Sequence, residues 1–71
     1  MNPFQPVAAA NPVRLKTVDA AAYMGLAEST LRYWRHRNVG PKSYKIGRIT
    51  FWDIADLDAF IAAERQRTER G

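Results

Sequence analysis

The stretch TVDAAAYMGLAESTLRYWRHR, residues 17–37, contains two helical patterns separated by a short turn. We expect the first helix over 18–24, with Thr17 as its N-cap, because a threonine hydroxyl at that position can accept a hydrogen bond from a backbone N–H of the first turn. Gly25 follows the last apolar position, where a residue in the left-handed conformation ends many helices. A second helix is predicted over Glu28–Arg37. Two helices joined by only three residues predict a helix-turn-helix unit.

The second predicted helix has an apolar side and a cationic, aromatic side. At about 100° per residue, Leu31 and Trp34 fall together and form a short apolar stripe. The opposite side is formed by Ser29, Arg32, Tyr33 and His36. This helix therefore has one side suited to a core and one side suited to contact with a polar partner.

A β-hairpin is predicted after the two helices. Residues 44–46 and 49–52 are rich in β-branched and aromatic side chains, and Gly47-Arg48 between them suits a two-residue turn of type II′. The pattern alone leaves open whether Phe51 or Trp52 faces the core, because a slip of one residue exchanges the two faces of the strand.

A last helix is predicted after the hairpin, with Asp53 as its N-cap. Its apolar stripe is formed by Ile54, Leu57, Phe60 and Ile61. Three arginines follow, at the end of this helix or in a frayed tail: Arg65, Arg67 and Arg70. The predicted fold is mainly α with a small β-hairpin, in the order of a winged helix-turn-helix domain.

The composition restricts the class of protein. Seventy-one residues allow one small domain, and we expect an N-terminal flexible arm over 1–13, the domain over 14–63 and a charged tail over 64–71. With no cysteine and one histidine, the chain offers no disulfide, no thiolate metal site and no His-rich metal site. No signal-peptide pattern or membrane-length apolar run is present, so we expect a cytoplasmic protein with no membrane partner.

Catalytic patterns are absent from the sequence. It contains no paired carboxylates at catalytic spacing, no evident nucleophile–base pair and no glycine-rich phosphate loop. We therefore expect a protein that is not an enzyme, with no cofactor and no metal site.

Positive charge is concentrated in the middle of the chain. Residues 29–52 contain no Asp or Glu, and they contain six cations: Arg32, Arg35, Arg37, Lys42, Lys45 and Arg48. With 11 Lys plus Arg and 7 Asp plus Glu in all, this segment is formally +6 and the rest is 5 − 7 = −2. Such a distribution is typical of a surface that binds phosphate. The alternative is a charged face that only keeps the protein in solution.

Three motifs in this order resemble those of excisionase-type DNA-binding domains. Residues 23–35, YMGLAESTLRYWR, resemble the family's LGVSxxTLRRWR segment. KIGR at 45–48 resembles its KxGR wing, and DLDAF at 56–60 resembles its closing DLxAW. The resemblance extends over residues 15–61. The family comprises phage excisionases, also called recombination directionality factors, and small phage or prophage regulators, with a fold related to the winged helix of mercury-resistance-type (MerR) regulators.

The resemblance implies a protein of a bacterial host cell that binds double-stranded DNA and bends it. Excisionases bind direct repeats near an attachment site and direct a separate integrase toward excision, so integrase and neighbouring copies on DNA are the implied partners. The implied recognition-helix residues are Ser29, Thr30, Arg32, Tyr33, Arg35, His36 and Arg37, and the implied wing residues are Lys42, Lys45, Gly47 and Arg48. The resemblance also places Trp34 and Trp52 in the core.

Three departures from the family's pattern affect the second helix, and one of them, His36, falls at a position that varies in the family. Ala27 stands where a serine usually caps it, and Tyr33 stands where arginine is common, which would exchange a charged base contact for stacking or a phosphate hydrogen bond. For Arg35, a phosphate contact and a salt bridge to Glu28 both remain open. These departures affect which DNA sequence the protein would prefer, and they leave the expectation of DNA binding unchanged.

Three functions follow from these observations. The first is an excisionase, and the second is a small phage-type transcription regulator on the same domain. The third is a protein-interaction module that does not bind DNA, which would leave the basic segment over 29–52 without a role.

Overall fold

The computed structural model describes residues 13–71. It contains three helices and one three-stranded antiparallel sheet with the strand order β1-β3-β2. In chain order, the elements are β1 Arg14–Lys16, α1 Thr17–Met24, α2 Glu28–His36, β2 Tyr44–Ile46, β3 Ile49–Asp53 and α3 Ile54–Thr68. The arm expected over 1–13 lies outside the described residues except for Val13, which is exposed.

The turn between α1 and α2 is built on Gly25, as the sequence predicts. Gly25 has a φ of 73°, and the backbone N–H of Leu26 donates to the carbonyl of Ala21 over 2.9 Å. The N–H of Gly25 donates to the carbonyl of Ala22 over 3.1 Å. These two bonds satisfy carbonyls at the end of α1, and they let the chain reverse into α2 within three residues.

Helix α2 ends in the same way, with an asparagine in the left-handed conformation instead of a glycine. Asn38 has a φ of 59°, and the N–H of Val39 donates to the carbonyl of Trp34 over 2.9 Å. Helix α2 begins at Glu28, as predicted, and ends at His36, one residue before the predicted end. Ala27 stands at the N-cap position with no side-chain hydrogen bond, which agrees with the loss of the capping serine.

The hairpin has the predicted two-residue turn. Its strands pair Tyr44 with Phe51, Lys45 with Thr50 and Ile46 with Ile49. Gly47 has a φ of 64° and Arg48 has no positive φ, the combination of a type II′ turn. The third strand, β1, was not predicted. It pairs Leu15 with Trp52 and makes a sheet where the sequence indicated only a hairpin.

The hydrophobic core contains one large side chain from the sheet. Trp52 is 1% exposed and packs with Ala20, Ala21, Leu31 and Leu57, each at most 3% exposed. Trp52, and not Phe51, therefore faces inward, with no slip in the hairpin register. Trp34 is partly buried against this core, and its ring lies 5.6 Å from that of Phe60.

Two predicted N-caps have other partners. The N-cap position of α1 is Lys16, and the hydroxyl of Thr17 accepts a hydrogen bond from the indole of Trp52 over 3.1 Å. Asp53 does stand at the N-cap of α3, but its carboxylate accepts from the Tyr44 hydroxyl over 2.5 Å. The first backbone N–H of α3, that of Ile54, donates to the carbonyl of Val13 over 2.9 Å.

Helix α3 continues through residues 64–68, the first part of the segment expected to be a tail. Arg65 and Arg67 therefore lie on the helix, where they pair with Glu69 and Glu64 respectively. The hydroxyl of Tyr23 on α1 donates to the carboxylate of Asp58 on α3 over 2.6 Å, and this contact joins the first and last helices. Within residues 13–71, no helix is both long enough and apolar enough to span a bilayer.

Candidate nucleic-acid interface

The outward face of α2 carries most of the predicted site. Arg32 and Tyr33 are exposed, as are Ser29, His36 and Arg37, whereas Thr30 and Arg35 are partly buried. This separation follows from helical spacing, because Leu31 and Trp34 turn toward the core and leave the positions on the opposite side of α2 in solvent. The apolar side of α2 thus fixes which side chains face outward.

An open cleft brings α2 and the hairpin together. It has a volume of about 260 Å³. Arg32, Arg35 and His36 line it from α2, and Lys45 and Thr50 line it from the hairpin. Lys45 and Thr50 form a cross-strand pair on the same face of the sheet as Trp52. The inward orientation of Trp52 therefore directs Lys45 toward the cations of α2.

The remaining hairpin residues occupy different places. Gly47 and Arg48 form the exposed turn at the end of the hairpin. A Cβ built on Gly47 would meet no atom within 4 Å, so the turn projects into open space. Lys42 lies apart from the first cleft, and it lines a second one of about 280 Å³ with Asp56 and Phe60.

Four of the predicted contact residues already make side-chain hydrogen bonds within the protein: Arg32, Tyr33, Arg35 and Arg37. Arg32 donates from Nη2 to Oε2 of Glu28, one turn before it on α2. Arg37 donates from Nη1 to the hydroxyl of Tyr33 over 2.7 Å, and its guanidinium carbon lies 5.7 Å from the centre of the Tyr33 ring. Both pairs are exposed, so solvent competes with them and they remain available to a ligand.

Arg35 has a different partner from the one considered in the sequence. Its Nε donates to Oγ of Ser43 over 2.8 Å, in a partly buried position. Glu28 pairs with Arg32, so the salt bridge between Arg35 and Glu28 is not formed. Arg35 thereby links α2 to the segment that leads into the hairpin, and it also lines the cleft between them.

Positive charge on this surface is largely uncompensated. Of the six cations in residues 29–52, only Arg32 has a carboxylate within 4.0 Å among the residues that the structure describes. The two arginines of α3 that form salt bridges, Arg65 and Arg67, are instead neutralised locally. The field around α2 and the hairpin is therefore more positive than the net charge of the chain alone indicates.

Sequence reasoning did not select three residues of this surface. Thr17 and Thr50 line the cleft beside the cations, and Glu28 pairs with Arg32. Thr50 could have been found from the hairpin register once Trp52 was placed inward, because Lys45 and Thr50 share that face. Thr17 reaches the cleft only through the tertiary packing of α1 on β3, which no local pattern indicates.

The chemistry of the cleft favours an anionic ligand. Guanidinium and ammonium groups donate to phosphate oxygens or to base edges, and threonine hydroxyls can donate to phosphates. Among residues 13–71, no group of three or more His, Cys, Asp or Glu side chains could hold a metal ion.

No protein-family model and no curated protein matches the chain.

Proposed function

We propose that the chain binds double-stranded DNA through a winged-helix surface, with α2 as the recognition helix and the β2–β3 hairpin as the wing. The observation that carries this proposal is the shared cleft, in which Arg32 and Arg35 of α2 and Lys45 of the hairpin meet without a balancing carboxylate except Glu28. A helix fits the major groove, and its exposed face presents the side chains that reach base edges.

The roles of the individual residues follow from their exposure. Arg32 is the first candidate for a base contact, because arginine donates two hydrogen bonds to guanine in the major groove. Tyr33 and Arg37 act as a stacked pair beside it. Lys42, Lys45 and the hydroxyl of Thr30 are assigned to phosphates, which position the protein but carry little sequence information.

The more specific role that we propose is that of an excisionase. Its support is the order and spacing of the three motifs in residues 23–35, 45–48 and 56–60. In that role the chain is not an enzyme. It binds direct repeats beside an attachment site, associates with neighbouring copies and bends the DNA so that an integrase carries out excision. A small transcription regulator on the same domain is the second candidate, because it would use the same surface.

Salt dependence of binding tests the DNA-binding proposal. Fluorescence anisotropy of a labelled mixed-sequence duplex should show log affinity falling with log salt at a slope near −0.9 per phosphate contact, or about −5 for five or six contacts. A slope near zero, or no binding at low salt, would reject it.

Footprinting then separates the two biological roles. On DNA flanking the chain's own gene, several protected repeats on one face of the duplex beside an attachment core support the excisionase. A single protected palindrome over a promoter supports the regulator instead.

A further inference from the structure

At the end of the sheet near α3, the side chains on the outward face contact one another. The rings of Tyr44 and Phe51 lie 6.3 Å apart, and the Arg14 guanidinium lies 5.6 Å from the centre of the Phe51 ring. The Tyr44 hydroxyl also donates to Asp53. Aromatic and charged groups therefore shield each other at this end of the face.

At the hairpin tip, the same face exposes apolar side chains to solvent. Ile46 and Ile49 are a cross-strand pair directly beside the turn, and they are 49% and 44% exposed. They lie on the same side of the sheet as Tyr44 and Phe51, because side chains alternate along a strand. A threonine at either position would have a similar preference for a strand, so strand formation does not by itself require isoleucine.

The turn between these isoleucines is narrow and cationic. Gly47 has open space around it, and Arg48 is exposed next to it. The tip therefore presents an exposed arginine in the turn next to a cross-strand pair of branched apolar side chains. Arginine enters narrow minor grooves, and proteins that bend DNA often press apolar side chains between base steps there.

We propose that Ile46 and Ile49 form an apolar wedge that contacts the minor groove beside Arg48 and bends the duplex. This inference rests on the proposed function, and it adds the origin of the bend to it. Arg48 supplies the attraction to the polyanion, and the isoleucines supply the apolar surface that favours unstacking of a base step. A second copy of the chain is the less favoured occupant, because its own cationic tip would repel Arg48.

The experiment measures DNA bending by the full chain. The probe is an end-labelled duplex of about 30 base pairs, selected by the wild-type chain from a random-sequence pool, and bending is read from energy transfer between its ends. The test variant is Ile46→Thr/Ile49→Thr, which keeps β-branched side chains in both strands. The control Ile46→Val/Ile49→Val keeps the apolar surface, and Val39→Thr removes an exposed apolar side chain elsewhere.

We expect the threonine variant to lose a bend of about 20° or more. Its affinity should fall about tenfold, which corresponds to the loss of part of two buried isoleucine side chains. Its salt slope should remain that of the wild type, since no cation is lost. Both control variants should bend the duplex as the wild type does.

Three results would overturn the inference while leaving DNA binding intact. The first is a threonine variant that retains the full bend. The second is a threonine variant that changes only the cooperativity between adjacent sites, which would assign the isoleucines to contact between copies. An equal loss of bending in the Val39→Thr control would also contradict the wedge. If the pool yields no bound sequence, the proposed function itself fails, which is a separate outcome.

Discussion

The indole Nε1 of Trp52 donates a hydrogen bond to the hydroxyl of Thr17 over 3.1 Å, which ties β3 to the first residue of α1. Trp52 is 1% exposed, so the only polar atom of its side chain has little access to water. A buried indole N–H without an acceptor is costly, and Thr17 removes that cost. The same contact orients the inner face of the hairpin, and therefore Lys45, toward α2.

Replacing Thr17 with valine tests this contact, because valine keeps the shape and removes the hydroxyl. We expect the free energy of unfolding to fall by about 1–3 kcal/mol, the cost of leaving a buried donor unsatisfied. Each kcal/mol corresponds to about 4–8 °C in Tm for a domain of this size, measured by circular dichroism. Thr17→Ser retains the acceptor and should be closer to wild type. Equal losses in the two variants would contradict the account.

Gly40→Ala should destabilise the domain more than Gly25→Ala. Both glycines have a positive φ, so both variants pay about 1–2 kcal/mol for a left-handed alanine. At Gly40, a Cβ would also lie 2.8 Å from Cε3 of Trp34, whereas Gly25 has no atom within 4 Å of that position. The overlap should add about 1–3 kcal/mol. Urea denaturation of both variants checks the difference, and similar midpoints would contradict the close approach.

Stability should decrease at high pH because of Tyr44. The hydrogen bond to the Asp53 carboxylate is the main cause that raises the pKa of Tyr44 above its ordinary value of 10.0. The folded state therefore keeps this proton when the unfolded state has lost it, so the stabilisation is complete below pH 10 and is lost as pH rises through the folded-state pKa. In thermal unfolding followed from neutral to alkaline pH, Tyr44→Phe should weaken this dependence.

Tyr33→Phe is the control for that pH series, since Tyr33 donates to no carboxylate among the hydrogen bonds of the described residues and instead accepts from Arg37. Tyr23 forms a second pair of the same kind, because its hydrogen bond to Asp58 also raises its pKa. A residual alkaline loss in Tyr44→Phe is therefore expected. An unchanged pH profile in Tyr44→Phe would contradict the role of the Asp53 contact.

Arg48→Ala should weaken DNA binding without changing stability. Arg48 is exposed in the turn, so its replacement should change the free energy of unfolding by no more than about 0.5 kcal/mol. If it contacts one phosphate or the minor groove, the salt slope should become shallower by about 1. Arg65→Ala on α3 removes the same charge and should leave the slope unchanged. Equal slopes for Arg48→Ala and wild type would remove the hairpin turn from the interface.

Local patterns predicted the helices and the hairpin well because those elements depend on nearby residues. Gly25 ended α1, and the two-residue turn at Gly47 fixed the cross-strand partners of β2 and β3. Strand β1 was missed because its three residues have no pattern of their own and are held by pairing with β3. The orientation of Trp52 depended on packing against α1 and α3, and the hairpin pattern did not contain it.

The sequence predicted which residues of α2 face outward, but it did not predict their hydrogen-bond partners. The outward positions of α2 followed from helical spacing around Leu31. The partners of Arg32 and Arg35 were not predicted, because each arginine can reach several acceptors and the fold decides which one lies nearby. The prediction of Thr17 as an N-cap was wrong, because its hydroxyl accepts from Trp52. Asp53 stands at the N-cap of α3 as predicted, but its carboxylate accepts from Tyr44 and makes no side-chain cap.

Titration of the isotope-labelled chain with a mixed-sequence DNA duplex, followed by nuclear magnetic resonance, tests the central claim most directly. If α2 and the hairpin form one DNA-binding surface, the largest shifts should occur together in residues 29–37 and 44–50, including the side chains of Arg32, Lys45 and Arg48. Shifts confined to α3, or none at low salt, would contradict the account.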